Sequence, residues 1–197
     1  MFTIAITGSI GSGKSSALKY FKELGYPTLS SDEVVHDIYA SNRDIQEQIE
    51  AIVKQPLFDE KGVDRALLSS IIFNRPDLKQ RVEEVVHQAV GREIEVWLKL
   101  HEQEEFGFVE VPLLFETEGQ THFDLTLMIA IDEKLQIERL IQNRGLTLES
   151  IEERLNSQMS QAKKRELADY VIENNNSLLE LQDKLDEFLK ETKRGCG

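Results

Sequence analysis

Residues Gly8 to Ser15 spell Gly-Ser-Ile-Gly-Ser-Gly-Lys-Ser, the complete G-x-x-x-x-G-K-[ST] spacing of a phosphate-binding loop. Gly8, Gly11 and Gly13 can turn the backbone through conformations closed to other residues, so successive N–H groups converge on one phosphate. The donors and positive dipole end of the helix that follows add to that cradle. Lys14 is then placed to reach the β- and γ-phosphates, and the Ser15 hydroxyl to take a coordination position on Mg²⁺. The chemistry is binding of a nucleoside triphosphate by Gly8, Gly11, Ser12, Gly13, Lys14, Ser15 and Ser16. Asp32, directly after a short apolar segment, is a second candidate. A carboxylate there can take the proton of an attacking hydroxyl, or it can cap a helix, for which Asp is a favoured residue. Glu110, inside the apolar run from Phe106, either holds the metal through water or is a strand-end charge facing solvent.

The triphosphate is a polyanion, yet the 197-residue chain carries a net charge of −13. That balance argues against a nucleic-acid binder, which needs clustered Lys and Arg. Positive charge is concentrated between Arg139 and Arg165, where six basic residues face three acidic ones, a local balance of +3 against −16 elsewhere. The cluster is either a phosphate-facing element or a solvated helical face. No apolar run approaches a membrane span, and no basic region precedes the N-terminal apolar stretch, so the expectation is a cytoplasmic chain without a membrane partner. The single cysteine, Cys196, has no partner for an internal disulfide and reads as a tail residue.

These residues must be positioned by strands that alternate with helices. The pattern predicts strands over 2–7, 27–30, 106–114, 125–131 and 170–173, and helices over 14–24, 133–143, 147–165 and 177–193. From Asp32 to about Leu100 it is mainly helical, broken at Gln55-Pro56 and at Asn74-Arg75-Pro76. The fold class expected is α/β, a three-layer phosphate-loop kinase fold around a central parallel five-stranded sheet. One domain spans 1–197. Its core is formed by about 1–31, 101–143 and 166–197, a helical substrate-binding insertion by about 32–100, and a lid by about 144–165. Leu67, Leu68, Ile71, Ile72 and Phe73 in the insertion are either plain core or a surface for an apolar substrate arm.

Along almost its whole length the sequence resembles the dephospho-coenzyme A kinase family. The loop Thr7-Gly8-Ser9-Ile10-Gly11-Ser12-Gly13-Lys14-Ser15 is similar to that family's T-G-G-I-G-S-G-K-S, and Ser30-Ser31-Asp32 stands where it has Asp-Ala-Asp. Pro112-Leu113-Leu114-Phe115-Glu116 matches its P-L-L-F-E. Arg139, Arg144, Arg154 and Gln158 fall on its R…R…R…Q lid pattern, and Ala168-Asp169-Tyr170-Val171-Ile172-Glu173-Asn174 on its A-D-x-V-I-x-N strand. The resemblance implies ATP-dependent phosphorylation of the ribose 3′-hydroxyl of dephospho-coenzyme A, with Mg²⁺ held by Ser15 and Glu110. Asp32, Lys14 and Arg139 would be catalytic. Arg139, Arg144 and Asn174 would join the loop in binding ATP, and Asp32, His87, Pro112, Leu113, Leu114 and Glu116 would meet the substrate.

Three departures from the pattern lie outside the phosphate loop. Ser30 replaces the first carboxylate, His36 stands where many relatives carry Arg, and Val86-His87-Gln88 replaces Leu-His-Pro. His87 is either a base or a hydrogen-bonded structural histidine, and Glu116 either binds substrate or caps a strand end. Another small-molecule or nucleoside monophosphate kinase, and a non-catalytic nucleotide-binding regulator, are the alternative functions. The expected partners are ATP and dephospho-coenzyme A, with no nucleic acid, in a monomer or weak homo-oligomer.

Overall fold

The computed structural model describes residues 1–60 and 62–195; Cys196, read above as a tail residue, lies outside them. In chain order the elements are β1 (Phe2–Thr7), α1 (Lys14–Glu23), β2 (Thr28–Ser30), α2 (Ser31–Ser41), α3 (Arg43–Val53), β3 (Phe58–Asp59), β4 (Gly62–Val63), α4 (Arg65–Ile72), α5 (Pro76–Leu100), β5 (Phe106–Glu110), β6 (Leu125–Ala130), α6 (Glu133–Arg144), α7 (Leu148–Asn156), α8 (Gln161–Leu167), β7 (Tyr170–Glu173) and α9 (Leu178–Gly195). They fall into two compact units, Met1–Ser30 with Gln103–Gly197, and Ser31–Glu102.

The first unit is built on a parallel five-stranded sheet of order β2-β5-β1-β6-β7, of the α/β class expected. A parallel sheet covered on both faces reads as unbroken apolar sequence, which is why β1, β5 and β6 are legible as runs rather than as alternations. Ile4 and Ile6 of β1 point to one face, where they join Phe21, Phe106, Phe108, Leu185 and Phe188 in the main core. Ala5 points to the other, against Leu114 and Phe115. The rings of Phe21 and Phe108 stack at 3.8 Å and tie α1 to the sheet.

Two aspartates hold strand ends by one device. Asp124 accepts from the N–H and the hydroxyl of Thr3, and its own N–H donates back to the Thr3 hydroxyl. Asp169 does the same with Thr126. Each aspartate precedes a strand and grips the neighbouring one, so the pair pins register where a slip would cost the buried face.

Some boundaries differ from the sequence expectations. The third strand ends at Glu110 rather than Leu114, because Pro112 carries no N–H for a ladder and Leu113 and Leu114 turn to accept from Thr117 and Gly119. The helix expected over 147–165 is two helices, with the Ser160 hydroxyl capping α8 through the Lys163 N–H.

The second unit is helical, with α2, α3 and α4 against the 25-residue α5. Pro76 opens α5 at a first-turn position, where a missing N–H costs nothing. The Asn42 side chain caps α3 by accepting from the Ile45 N–H, a break the sequence reading did not place. The small β3–β4 hairpin was also unforeseen; Glu50 holds it by accepting from the N–H groups of Leu57 and Phe58.

Candidate active site

The sheet delivers Thr7 to a loop whose backbone has φ values of 142° at Gly8, 77° at Gly11 and 103° at Gly13. At two of these positions the lack of a side chain is also a packing need. A Cβ on Gly8 would run into the Ile129 carbonyl, and one on Gly13 into the Asn174 amide. The loop is tied from several sides. The Asn174 amide donates to the Ser12 carbonyl at 2.8 Å, while the Ser12 N–H closes a turn onto the Ser9 carbonyl. Ser12 is fully buried, so its contribution to a nucleotide site is loop shape and not side-chain contact.

Lys14 is only 7% exposed, and its ammonium donates to the Ser9 carbonyl at 3.1 Å, lying across the loop. Ser15, one residue on, is exposed, and its hydroxyl donates to Glu110 Oε1 at 3.1 Å. Glu110 is 4% exposed. It is therefore not a solvent-facing strand-end group, and its carboxyl stands beside the α1 N-terminus.

An open cavity of about 410 Å³ runs from this loop along α6 to the start of α9, and Arg139, Arg144 and Asn174 line it together with Gly11, Gly13, Lys14, Ser15 and Ser16. Arg139 stands on α6, and its guanidinium donates to the carbonyls of Asn174 and Asn176 at 3.0 and 2.9 Å. Among the described residues Arg139, Arg144 and Arg154 have no carboxylate partner, so their charges are available to an anion. The basic cluster is nonetheless smaller than its sequence suggests. Lys164 is fully buried, donating to Glu116 at 2.9 Å and to the Pro112 carbonyl at 2.7 Å. Arg165 is bound to Glu173, a hydrogen bond that raises its pKa further.

An open cavity lined by loop glycines, a lysine and arginines without acid partners among the described residues has the chemistry to take an anion. A family model described as dephospho-CoA kinase matches residues 2–180. The chain belongs to the dephospho-CoA kinase family. It is 34% identical over 200 residues to a dephospho-CoA kinase of Agrobacterium fabrum, covering 96% of this chain and 97% of that one. It is 31% identical to one of Protochlamydia amoebophila, with 96% of both chains covered. Among solved structures, one from Thermus thermophilus superposes with a TM-score of 0.82 at 30% identity over 100% of this chain and 98% of that one. A dephospho-CoA kinase from Campylobacter jejuni gives 0.75 at 27%, over 99% and 98%. A shikimate kinase from Acinetobacter baumannii, at 0.54 and 17% over 98% and 95%, shares the fold.

Within the dephospho-CoA kinase pattern, the P-L-L-F-E segment has a structural task. Leu114 is fully buried against Ala5 and Phe115, so its side chain cannot meet a substrate, and that expectation is corrected. Glu116 accepts from Lys164 and from the Met159 N–H at 2.8 Å through one oxygen, while its other oxygen is buried with no hydrogen-bond partner among the described residues. Pro112 presents its carbonyl to Lys164, and Leu113 is half-buried with its carbonyl taken by Thr117.

Asp32 and His87 lie in the helical unit. Asp32 is the second residue of α2, exposed, and not the cap, since the residue before the helix is Ser30. With Glu33, His36, Asp37 and Arg65 it lines a separate open cavity of about 620 Å³. By sequence Asp64 and Arg65 fit the family's substrate-side polar contacts only loosely; the fold makes Asp64 a helix cap and places Arg65 here, 5.5 Å from the Tyr39 ring. Burial pushes the Tyr39 pKa up and Arg65 partly opposes it. His87 is exposed on α5 and, among the described residues, makes no side-chain hydrogen bond, so the structural-histidine reading is corrected. Among the described residues there is no cluster of three or more metal-ligating side chains, and no helix is long and apolar enough to cross a membrane.

Proposed function

We propose that this protein transfers the γ-phosphoryl group of ATP to the ribose 3′-hydroxyl of dephospho-coenzyme A, giving coenzyme A and ADP as the closing step of coenzyme A synthesis. The observation that carries the reading is the cavity in which the glycine loop, Lys14, Ser15 and the acid-free arginines converge beside buried Glu110, in a chain of the dephospho-CoA kinase family.

Phosphoryl transfer asks for positioning and charge neutralisation more than for covalent help. Backbone N–H groups of the loop and the α1 N-terminus hold the phosphates, and Lys14, held by the Ser9 carbonyl, reaches the β- and γ-oxygens with its remaining donors. Arg139 and Arg144 meet the charge that builds on the transferring group. Asp32 accepts the proton of the attacking hydroxyl. Arg65, in the cavity that Asp32 lines, supplies positive charge for an anionic substrate, and the His36 ring lies in the same cavity. Ser15 and Glu110 fit Mg²⁺, a small hard cation that takes one or two protein oxygens and keeps several waters. Ser15 and Glu110 would hold it, and its charge would neutralise that of the transferring phosphates. Residues 145–157 act as the lid; the segment behind them, 158–165, is held by Glu116, Glu173 and the phosphate loop.

The test is an assay of ADP release with dephospho-coenzyme A, AMP, adenosine and pantothenate offered in turn. Turnover with dephospho-coenzyme A alone is the expected result. Preference for AMP or another acceptor would overturn the substrate, and ATP binding without turnover on any acceptor would make the chain a regulator.

A further inference from the structure

The Ile10 peptide of the phosphate loop does not line the nucleotide cavity, and it is held from behind by glutamines. Its N–H donates to Gln158 Oε1 at 3.2 Å, and its carbonyl accepts from Gln136 Nε2 at 2.5 Å. Gln136 is 1% exposed on α6, and the same amide nitrogen donates to the Ser9 hydroxyl at 2.9 Å. An amide can present either its oxygen or its nitrogen, so something must set which end faces the loop.

That choice is traceable to a backbone group that cannot flip. Gln161 is locked against Ile131, its Oε1 accepting the Ile131 N–H and its Nε2 donating to the Ile131 carbonyl, both at 3.1 Å. The Gln161 nitrogen also donates to Gln136 Oε1 at 3.2 Å. With its oxygen taken, Gln136 has only its nitrogen to offer Ser9 and Ile10. The consequence reaches the catalytic lysine, because the carbonyl that accepts Lys14 belongs to Ser9.

We propose that Gln136 is a positioning residue for triphosphate binding, oriented by Gln161 and acting through Ser9 and Ile10 on Lys14. It touches no substrate. It holds the near side of the loop so that the ammonium stands at the phosphate site before the nucleotide arrives. The Gln136 amide, satisfied on both sides, sets the loop's shape, whereas its loss deprives the buried Ser9 hydroxyl and the part-buried Ile10 carbonyl of its bonds.

The proposal rests on the reading of ATP as the nucleotide, and its test separates the two. ATP affinity is measured by calorimetry for the wild type, for Gln136→Met, which keeps length and removes all three hydrogen bonds, and for both in a Lys14→Ala background. Gln136→Met should weaken ATP binding by about tenfold with Lys14 present and by under about twofold without it, with the KM for dephospho-coenzyme A unchanged. An equal factor in both backgrounds, or unchanged ATP affinity, would overturn it. Should Gln136→Met fail to fold, Gln161→Met carries the same test from one residue further out, expected at about threefold and again only with Lys14 present. A wild type that binds no ATP would sink the nucleotide reading itself.

Discussion

The phosphate loop and the first turns of α2, to which the proposed transfer assigns phosphate binding and the base, are built by opposite rules. Around the loop many of the polar side chains are committed. Lys14 lies on Ser9, Asn174 on Ser12, Gln136 and Gln158 on Ile10, and Ser15 on Glu110. On α2 the side chains of Asp32, Glu33, His36 and Asp37 are exposed and, among the described residues, make no hydrogen bond or ion pair. Charge stabilisation works best when donors are fixed in advance, because dipoles already aimed need no reorganisation. A base must instead wait for a hydroxyl that comes with the substrate, so an exposed carboxylate suffices. Loss of a loop residue should therefore damage chemistry or folding heavily, whereas an α2 substitution should touch chemistry alone.

The sharpest way to break that contrast is Lys14→Ala. It removes a contact whose value lies in the transition state, so kcat should fall by about a thousandfold or more while the circular dichroism spectrum and Tm stay near wild type. Near-normal turnover of the folded variant would refute the loop's assigned role. Lys164→Met tests the committed side through stability. The buried ammonium is removed and Glu116 keeps a charge against the Met159 N–H, so unfolding in urea should show a loss of about 3 kcal/mol, the scale for one partner of a buried pair. The double change Lys164→Met with Glu116→Gln should recover part of it.

Asp32→Asn tests the uncommitted side. The variant keeps size and helix position but cannot take a proton, so kcat should drop about a hundredfold. Because Asp32 is exposed and caps nothing, the stability cost should stay within about 0.5 kcal/mol, the scale of a first-turn charge against the helix dipole. A large loss of Tm with normal turnover would reverse the comparison and make Asp32 structural.

The same contrast separates what the sequence discloses from what it hides. The loop is a local device, eight consecutive residues whose glycines, lysine and serine have fixed offsets, and buried parallel strands declare themselves as apolar runs. Both are readable one segment at a time. Lys164 and Gln136 are not, because their partners lie 52 and 127 residues away in the chain, at Pro112 and Ser9. The available signals were weak. Gln136 sits four positions before buried Leu140, on the inward face of α6, where a polar residue calls for a buried partner. Lys164 stands in a run of three cations, and the sequence alone leaves that run either phosphate-facing or solvated, not buried. The third strand was read too long because Pro112 to Phe115 continue the apolar run after the ladder has ended.

The smallest effect is expected where the committed and uncommitted regions meet within one stretch of chain. Residues 145–157 hold one buried side chain in α7, Ile151, with Arg144 and Arg154 exposed at either end. Residues 158–165 carry the bonds to Ile10, Glu116 and Glu173. Gly145 divides α6 from α7 at φ 62°, with open space where a Cβ would stand, which suits a hinge. If nucleotide draws the first part shut, hydrogen exchange with a non-hydrolysable ATP analogue should raise protection at 145–157 and leave 158–165 and α9 unchanged. Arg144→Ala should reduce that gain and lower kcat/KM for ATP by a few fold, since the same charge draws the segment in and meets the phosphates. Equal protection with and without nucleotide would make the whole of 145–165 a rigid element, with Arg144 and Arg154 on an ordinary solvated face.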